Sequence, residues 1–143
     1  MKRTSLILSI ALAATILVGA GGGLDLGAQE RKAYTSKAKS TPLIKTAVAG
    51  VAGKEVNIVH FALPSGFTGG RHSHPGQVFV YILEGSLNME IEGAAPRKLK
   101  PGDVFQEPQG RTMRIRNLST TDGVKFLVFQ IGDAGKPLMI KVK

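Results

Sequence analysis

The chain has 143 residues, a length that makes one domain with a core of ordinary size and excludes a large multidomain enzyme. Hydrophobic residues make up 43% and charged residues 20%, with 18 Gly and 7 Pro, the profile of a turn-rich globular protein rather than a disordered one. The lack of Cys excludes disulfide frameworks, Cys-ligated zinc fingers and thiol catalysis, the lack of Trp argues against a wide aromatic platform, and the net charge of +9 favours acidic partners only if it gathers on one face.

At the N-terminus, Lys2 and Arg3 precede the uncharged run Leu6 to Ala20, the order of a secretory signal. Small-residue cleavage sites follow Ala20 and Ala28; the second leaves the polar start Gln29-Glu30-Arg31-Lys32 and assigns residues 1–28 to a signal peptide. An uncleaved anchor is the alternative, since Leu6 to Gly27 approaches the roughly 20 residues that span a bilayer. Gly21-Gly22-Gly23 and Asp25 weaken such a helix. The expectation is a periplasmic or secreted protein with no stable membrane span after cleavage. Residues 29–42, Lys and Ser rich from Tyr34 to Thr41, read as a flexible tether before a β domain over residues 43–143.

From Leu43 onward no window keeps a helical period, and short apolar or alternating runs recur between turn signals. The runs are Leu43 to Ala49, Glu55 to Leu63, Arg71 to His74, Val78 to Leu83, Ser86 to Ile91, Arg97 to Lys100, Val104 to Glu107, Thr112 to Asn117, Val124 to Ile131 and Leu138 to Val142. Pro64-Ser65-Gly66, Pro75-Gly76, Glu84-Gly85, Pro101-Gly102-Asp103 and Asp122-Gly123 are among the turns between them. This density of short strands predicts an all-β jelly-roll barrel. Alternation sends Arg114 and Arg116 to the face opposite Met113 and Ile115, so the basic charge reads as a solvated face and nucleic-acid binding is not expected.

His72-Ser73-His74 carries the chemistry. Residues two apart on a strand project from one face, spaced to grip one ion through two imidazoles. His60 shares a face with Val56, Ile58 and Ala62 and reads as a satisfied core residue, while Glu84, Asp103 and Glu107 fall in turns without forming an acid and base pair.

The spacing Gly66, five residues, His72-Ser73-His74, then Gly85, followed by Gly102, five residues, Pro108-Gln109-Gly110, two residues, Met113, three residues, Asn117, resembles the two motifs of the cupin superfamily. The stretch Arg71 to Leu87 is especially similar to small single-domain cupins, and the likeness covers roughly residues 43–142. The resemblance implies a double-stranded β-helix barrel and one divalent metal held by both histidines of the first motif, its glutamate, and the histidine of the second. Here Val78 stands at the glutamate position with Gln77 beside it, and Met113 stands at the last histidine.

Loss of a carboxylate and an imidazole weakens a site for Mn(II), Fe(II) or Zn(II), whereas His72, His74 and Met113 would make a softer site suited to copper. Gln77 would add an amide oxygen only if a bulge at Pro75-Gly76 turned it to the face of Val78. Val78, Tyr81, Phe105 and Arg111 are candidate pocket-lining residues, Arg111 as a holder of an anionic ligand at the cavity mouth. The leading expectation is an exported cupin that binds a metal ion or a small molecule inside the barrel. A metal-dependent, copper-using oxidoreductase or dioxygenase-like enzyme is the rival reading. A third is a degenerate, non-catalytic barrel acting through dimerisation, since small cupins often form homodimers.

Overall fold

The computed structural model describes residues 38–143; the expected signal peptide, and the expected tether up to residue 37, lie outside the described residues. Ten strands follow in order: β1 Lys39–Ala47, β2 Lys54–Leu63, β3 His72–Ser73, β4 Gln77–Glu84, β5 Leu87–Ile91, β6 Arg97–Leu99, β7 Val104–Glu107, β8 Met113–Arg116, β9 Val124–Asp133 and β10 Ile140–Lys141. Each falls on one of the ten runs read from the sequence. β1 starts at Lys39, four residues ahead of the start expected at Leu43, so the strand takes in the end of the expected tether. No helix among the described residues is long and apolar enough to cross a membrane.

The strands form two five-stranded antiparallel sheets, β1-β2-β9-β4-β7 and β10-β3-β8-β5-β6. The jelly roll buries Leu63, Val78, Val80, Ile82, Leu87, Leu99, Val124, Phe126 and Val128 between them. Phe61 stacks on Phe126 with ring centroids 5.3 Å apart. Alternation explains the inner rows: Val59, Val128, Val80 and Phe105 are successive cross-strand partners, as are Asn57, Gln130, Val78 and Glu107.

The turns demand their glycines. Gly85 has φ near +73°, and a Cβ there would strike the Gly123 carbonyl; one at Gly76 would sit 2.6 Å from the Ile131 carbonyl oxygen. On the outer face of the second sheet Glu90 pairs with Arg114 and Arg116, at 2.5 and 3.4 Å, as the outward reading of both arginines requires. Arg114 and then Arg116 hold the Glu90 carboxyl below its usual range.

Candidate functional site

His72 on β3 and His74 just beyond it both project inward, with relative exposures of 7% and 4%. Their rings meet edge to face with centroids 5.0 Å apart. Each imidazole is oriented by a backbone carbonyl: His72 Nδ1 lies 2.9 Å from Gly70 O, and His74 Nδ1 lies 2.7 Å from Leu138 O. The Nδ1–H is therefore the donor in both, and each Nε2 is turned away from that carbonyl. Gln130, buried on β9, donates to the same Leu138 oxygen at 3.0 Å, which ties the loop before β10 to the site.

His74 Nε2 lies 2.8 Å from Glu107 Oε2, and both side chains are 4% exposed. The contact has the distance of an ion pair but not the alignment of a hydrogen bond, and Nε2 has no other partner. Burial opposes protonation of His74, yet the Glu107 carboxylate and the Leu138 carbonyl outweigh it, and the imidazole pKa stands above its ordinary value. Glu107 is the residue that sequence reasoning placed in a turn. It ends β7 directly across from Val78, so a carboxylate enters the barrel one strand away from the position that Val78 occupies. The alternation of Phe105 and Glu107 onto one face was the available signal.

The histidines line two joined spaces. A cavity of about 310 Å³ lies at the seam where β2 faces β3, β8 and β10, walled by Phe61, Leu63, Phe67, Ile115, Met139 and His72, with Lys141 among its lining. A chamber of about 40 Å³ shares Phe61, His72, Ile115 and Met139 with it and reaches His74 and Glu107. A larger depression of about 820 Å³ over Glu84, Asn88, Lys98, Thr121 and Asp122 is a polar surface groove that includes neither histidine.

Several expected site residues stand elsewhere. Gln77 is exposed on the outer face opposite Val78, with no bulge to turn it inward, so it is not a ligand to anything in the barrel. Tyr81 also lies on the outer face at 37% exposure, because β4 alternates with its core residues Val78, Val80 and Ile82. Phe105 is inward but packs on the core and under the Arg97 guanidinium, 5.1 Å from its ring centroid. Arg111 is exposed and donates to the Glu92 carbonyl, away from the cavity. Met113 is buried opposite His72 on β8, and Val78 is fully buried in the core; neither lines either space. His60 sits on the outer face between Thr41 and Leu127 rather than in the core.

The cupin-domain family profile matches residues 59–129, across the strands that hold both histidines and Glu107. The chain belongs to the cupin superfamily. This cupin is similar in structure to the DMSP lyase DddQ from Ruegeria pomeroyi DSS-3, with a TM-score of 0.61 at 24% identity over 74% of this chain and 52% of the lyase, about half that protein's length. It is also similar to a conserved protein with a double-stranded β-helix domain from Klebsiella pneumoniae, at a TM-score of 0.60 and 14% identity over 76% and 87% of the two chains. An RmlC-like cupin from Methanocaldococcus jannaschii gives a TM-score of 0.57 at 24% identity over 68% and 82%. At these identities the likeness is one of fold. No curated protein matches this cupin.

The family's metal finds an incomplete donor set here. Among the described residues no three His, Cys, Asp or Glu side chains converge closely enough to hold an ion. Val78 offers hydrocarbon, Met113 stays outside the walls of both spaces, and the nitrogen of His74 that faces inward already meets Glu107. The residues present therefore do not assemble the divalent-ion site of imidazoles and a carboxylate that the family implies.

Proposed function

We propose that this cupin is an exported binding protein for a small, largely apolar organic molecule, held in the cavity at the seam of the two sheets. The supporting observation is the lining: seven apolar side chains around a space of about 310 Å³ with a histidine in its wall. An apolar cavity of about 150 Å³ accommodates benzene, so this one suits a body of about twelve heavy atoms. His72 Nε2 makes no hydrogen bond to a described residue and supplies one polar contact for a ligand hydroxyl or amide.

The reading predicts that a naphthyl ketone such as 2-acetylnaphthalene binds the protein saturably, and that Ile115→Trp, which fills the cavity, weakens binding at least tenfold with unchanged far-UV circular dichroism. Absence of saturable binding, or equal binding by the filled variant, counts against it.

The outer face of the β1-β2-β9-β4-β7 sheet favours a second element of this reading, a homodimer. One register row crosses all five strands as Ile44, Ile58, Phe129, Phe79 and Gln106, and the adjoining rows place Leu127, Tyr81 and Val104, and Val56 and Ile131, beside it. An antiparallel sheet with one solvated face ordinarily carries polar residues there.

A further inference from the structure

We infer that the cavity takes small organic acids, with Lys141 holding the ligand's carboxylate at the mouth and the apolar body lying inward. The inference rests on the cavity reading above and names its ligand class.

Lys141 is the cross-strand partner of His72, and residues directly opposite in an antiparallel pair share a face, so the lysine belongs to the inner side of β10. It lines the cavity beside Met139 and Val142. Seven ion pairs form among the described residues, and Lys141 is in none of them, whereas Lys45, Lys54 and Lys125 each have an acidic partner. The neighbouring cation is already engaged: Arg71, just before β3, also lines the cavity, but its guanidinium meets Glu92 at 3.0 Å. An exposed ammonium on the rim of an otherwise apolar cavity is matched by a carboxylate that stays partly in water.

The far end sets the direction of entry. Glu107 is 4% exposed and lines the inner chamber with His74, so an acid inserted head first would press its charge toward a buried carboxylate. Inserted body first, it leaves its charge beside Lys141 and its hydrocarbon against Phe61, Ile115 and Met139. The titratable groups lining these spaces are Arg71, His72, His74, Glu107 and Lys141; Arg71 and Lys141 are the exposed ones, and of these two only Lys141 lacks an acidic partner among the described residues. A lysine on an edge strand also blunts sheet-to-sheet association, but that role carries no preference for the charge of a ligand.

The test uses the full 143-residue chain and two probes of the same shape, 2-naphthoate and its neutral isostere 2-acetylnaphthalene, each of about thirteen heavy atoms and so close to the size that the volume suggests. The chain has no Trp, which leaves naphthyl emission free of overlap. The expected result is that naphthoate binds about tenfold more tightly than the ketone, as one charge-assisted contact supplies. Lys141→Met brings that ratio to about one with ketone affinity unchanged, Lys141→Arg keeps it, and about 0.5 M salt shrinks it because the charge is exposed. Equal binding of the two probes, or a preference that survives Lys141→Met, overturns the acid class and leaves the cavity reading standing. Binding of neither probe overturns both.

Discussion

At the scale of single residues the barrel's unusual expense is a pair of ionisable side chains, His74 and Glu107, both nearly excluded from water. Two charges taken from solvent are tolerated when each meets the other and the remaining donors are satisfied, and the Leu138 carbonyl does the latter for His74 Nδ1. Because the folded pKa of His74 is raised above the unfolded value of about 6.5, the protonated imidazole stabilises the fold fully below that value. The stabilisation is lost as pH rises through the folded pKa. Urea unfolding measured across that window should show stability falling with rising pH in the natural chain. In Glu107→Gln the slope should flatten, with a loss of about 1–3 kcal/mol at the acidic end, the cost of leaving a buried polar group without its partner. Identical pH profiles for the two proteins would show that the pair is not coupled to folding.

At the scale of elements, strands and turns were readable because period-two alternation and Gly or Pro punctuation are local signals, and each of the ten runs became a strand. Which face of a strand turns inward was not. In β2 the set Val56, Ile58 and Ala62 is as apolar as Val59, Phe61 and Leu63, and in β4 Phe79 and Tyr81 rival Val78, Val80 and Ile82. Alternation alone cannot choose between two greasy faces, which is why His60 was expected in the core and Tyr81 in the pocket. Glu107 was misread for a different reason: its partner His74 comes from another strand, and only the register of β7 against β4 brings a carboxylate beside the histidine motif.

Asn117 shows a motif residue whose role is mechanical. It is 2% exposed, its Nδ2 donates to the Pro64 and Asp122 carbonyls at 2.9 and 2.7 Å, and its Oδ1 accepts from Ser119 N at 3.1 Å. It thereby clamps the end of β8 to the loops after β2 and before β9. Asn117→Ala should lose about 2–3 kcal/mol in thermal unfolding through the stranded carbonyls. Asn117→Asp should lose at least as much despite its matching shape, because a carboxylate cannot donate to two carbonyls. A well-tolerated aspartate would show that the clamp depends on shape alone.

At the scale of the whole molecule, one five-stranded sheet is apolar on both sides, and one of those sides has no partner within the described chain. The central row Ile44, Ile58, Phe129 and Phe79 contains no charge, while Arg114 and Arg116 lie on the other sheet, paired to Glu90. A second copy would therefore meet the middle of this face without opposing charge to charge, the cations Lys39 and Lys125 standing in an outer row where Lys125 pairs with Glu84. Five strands about 4.8 Å apart with three rows of side chains cover about 500 Å² in projection. Two copies thus reach about 1,000 Å², the lower bound for a specific interface. The symmetry would be two-fold, since the same patch serves both copies. Light scattering should find two chains per particle for the natural protein at micromolar concentration. Phe129→Lys, which sets a charge in the middle of the row on the side away from the core, should give one chain per particle, with naphthyl-probe binding retained because the cavity opens at the opposite face of β2. A natural protein that stays single at every concentration tested would mean that this face has another cover.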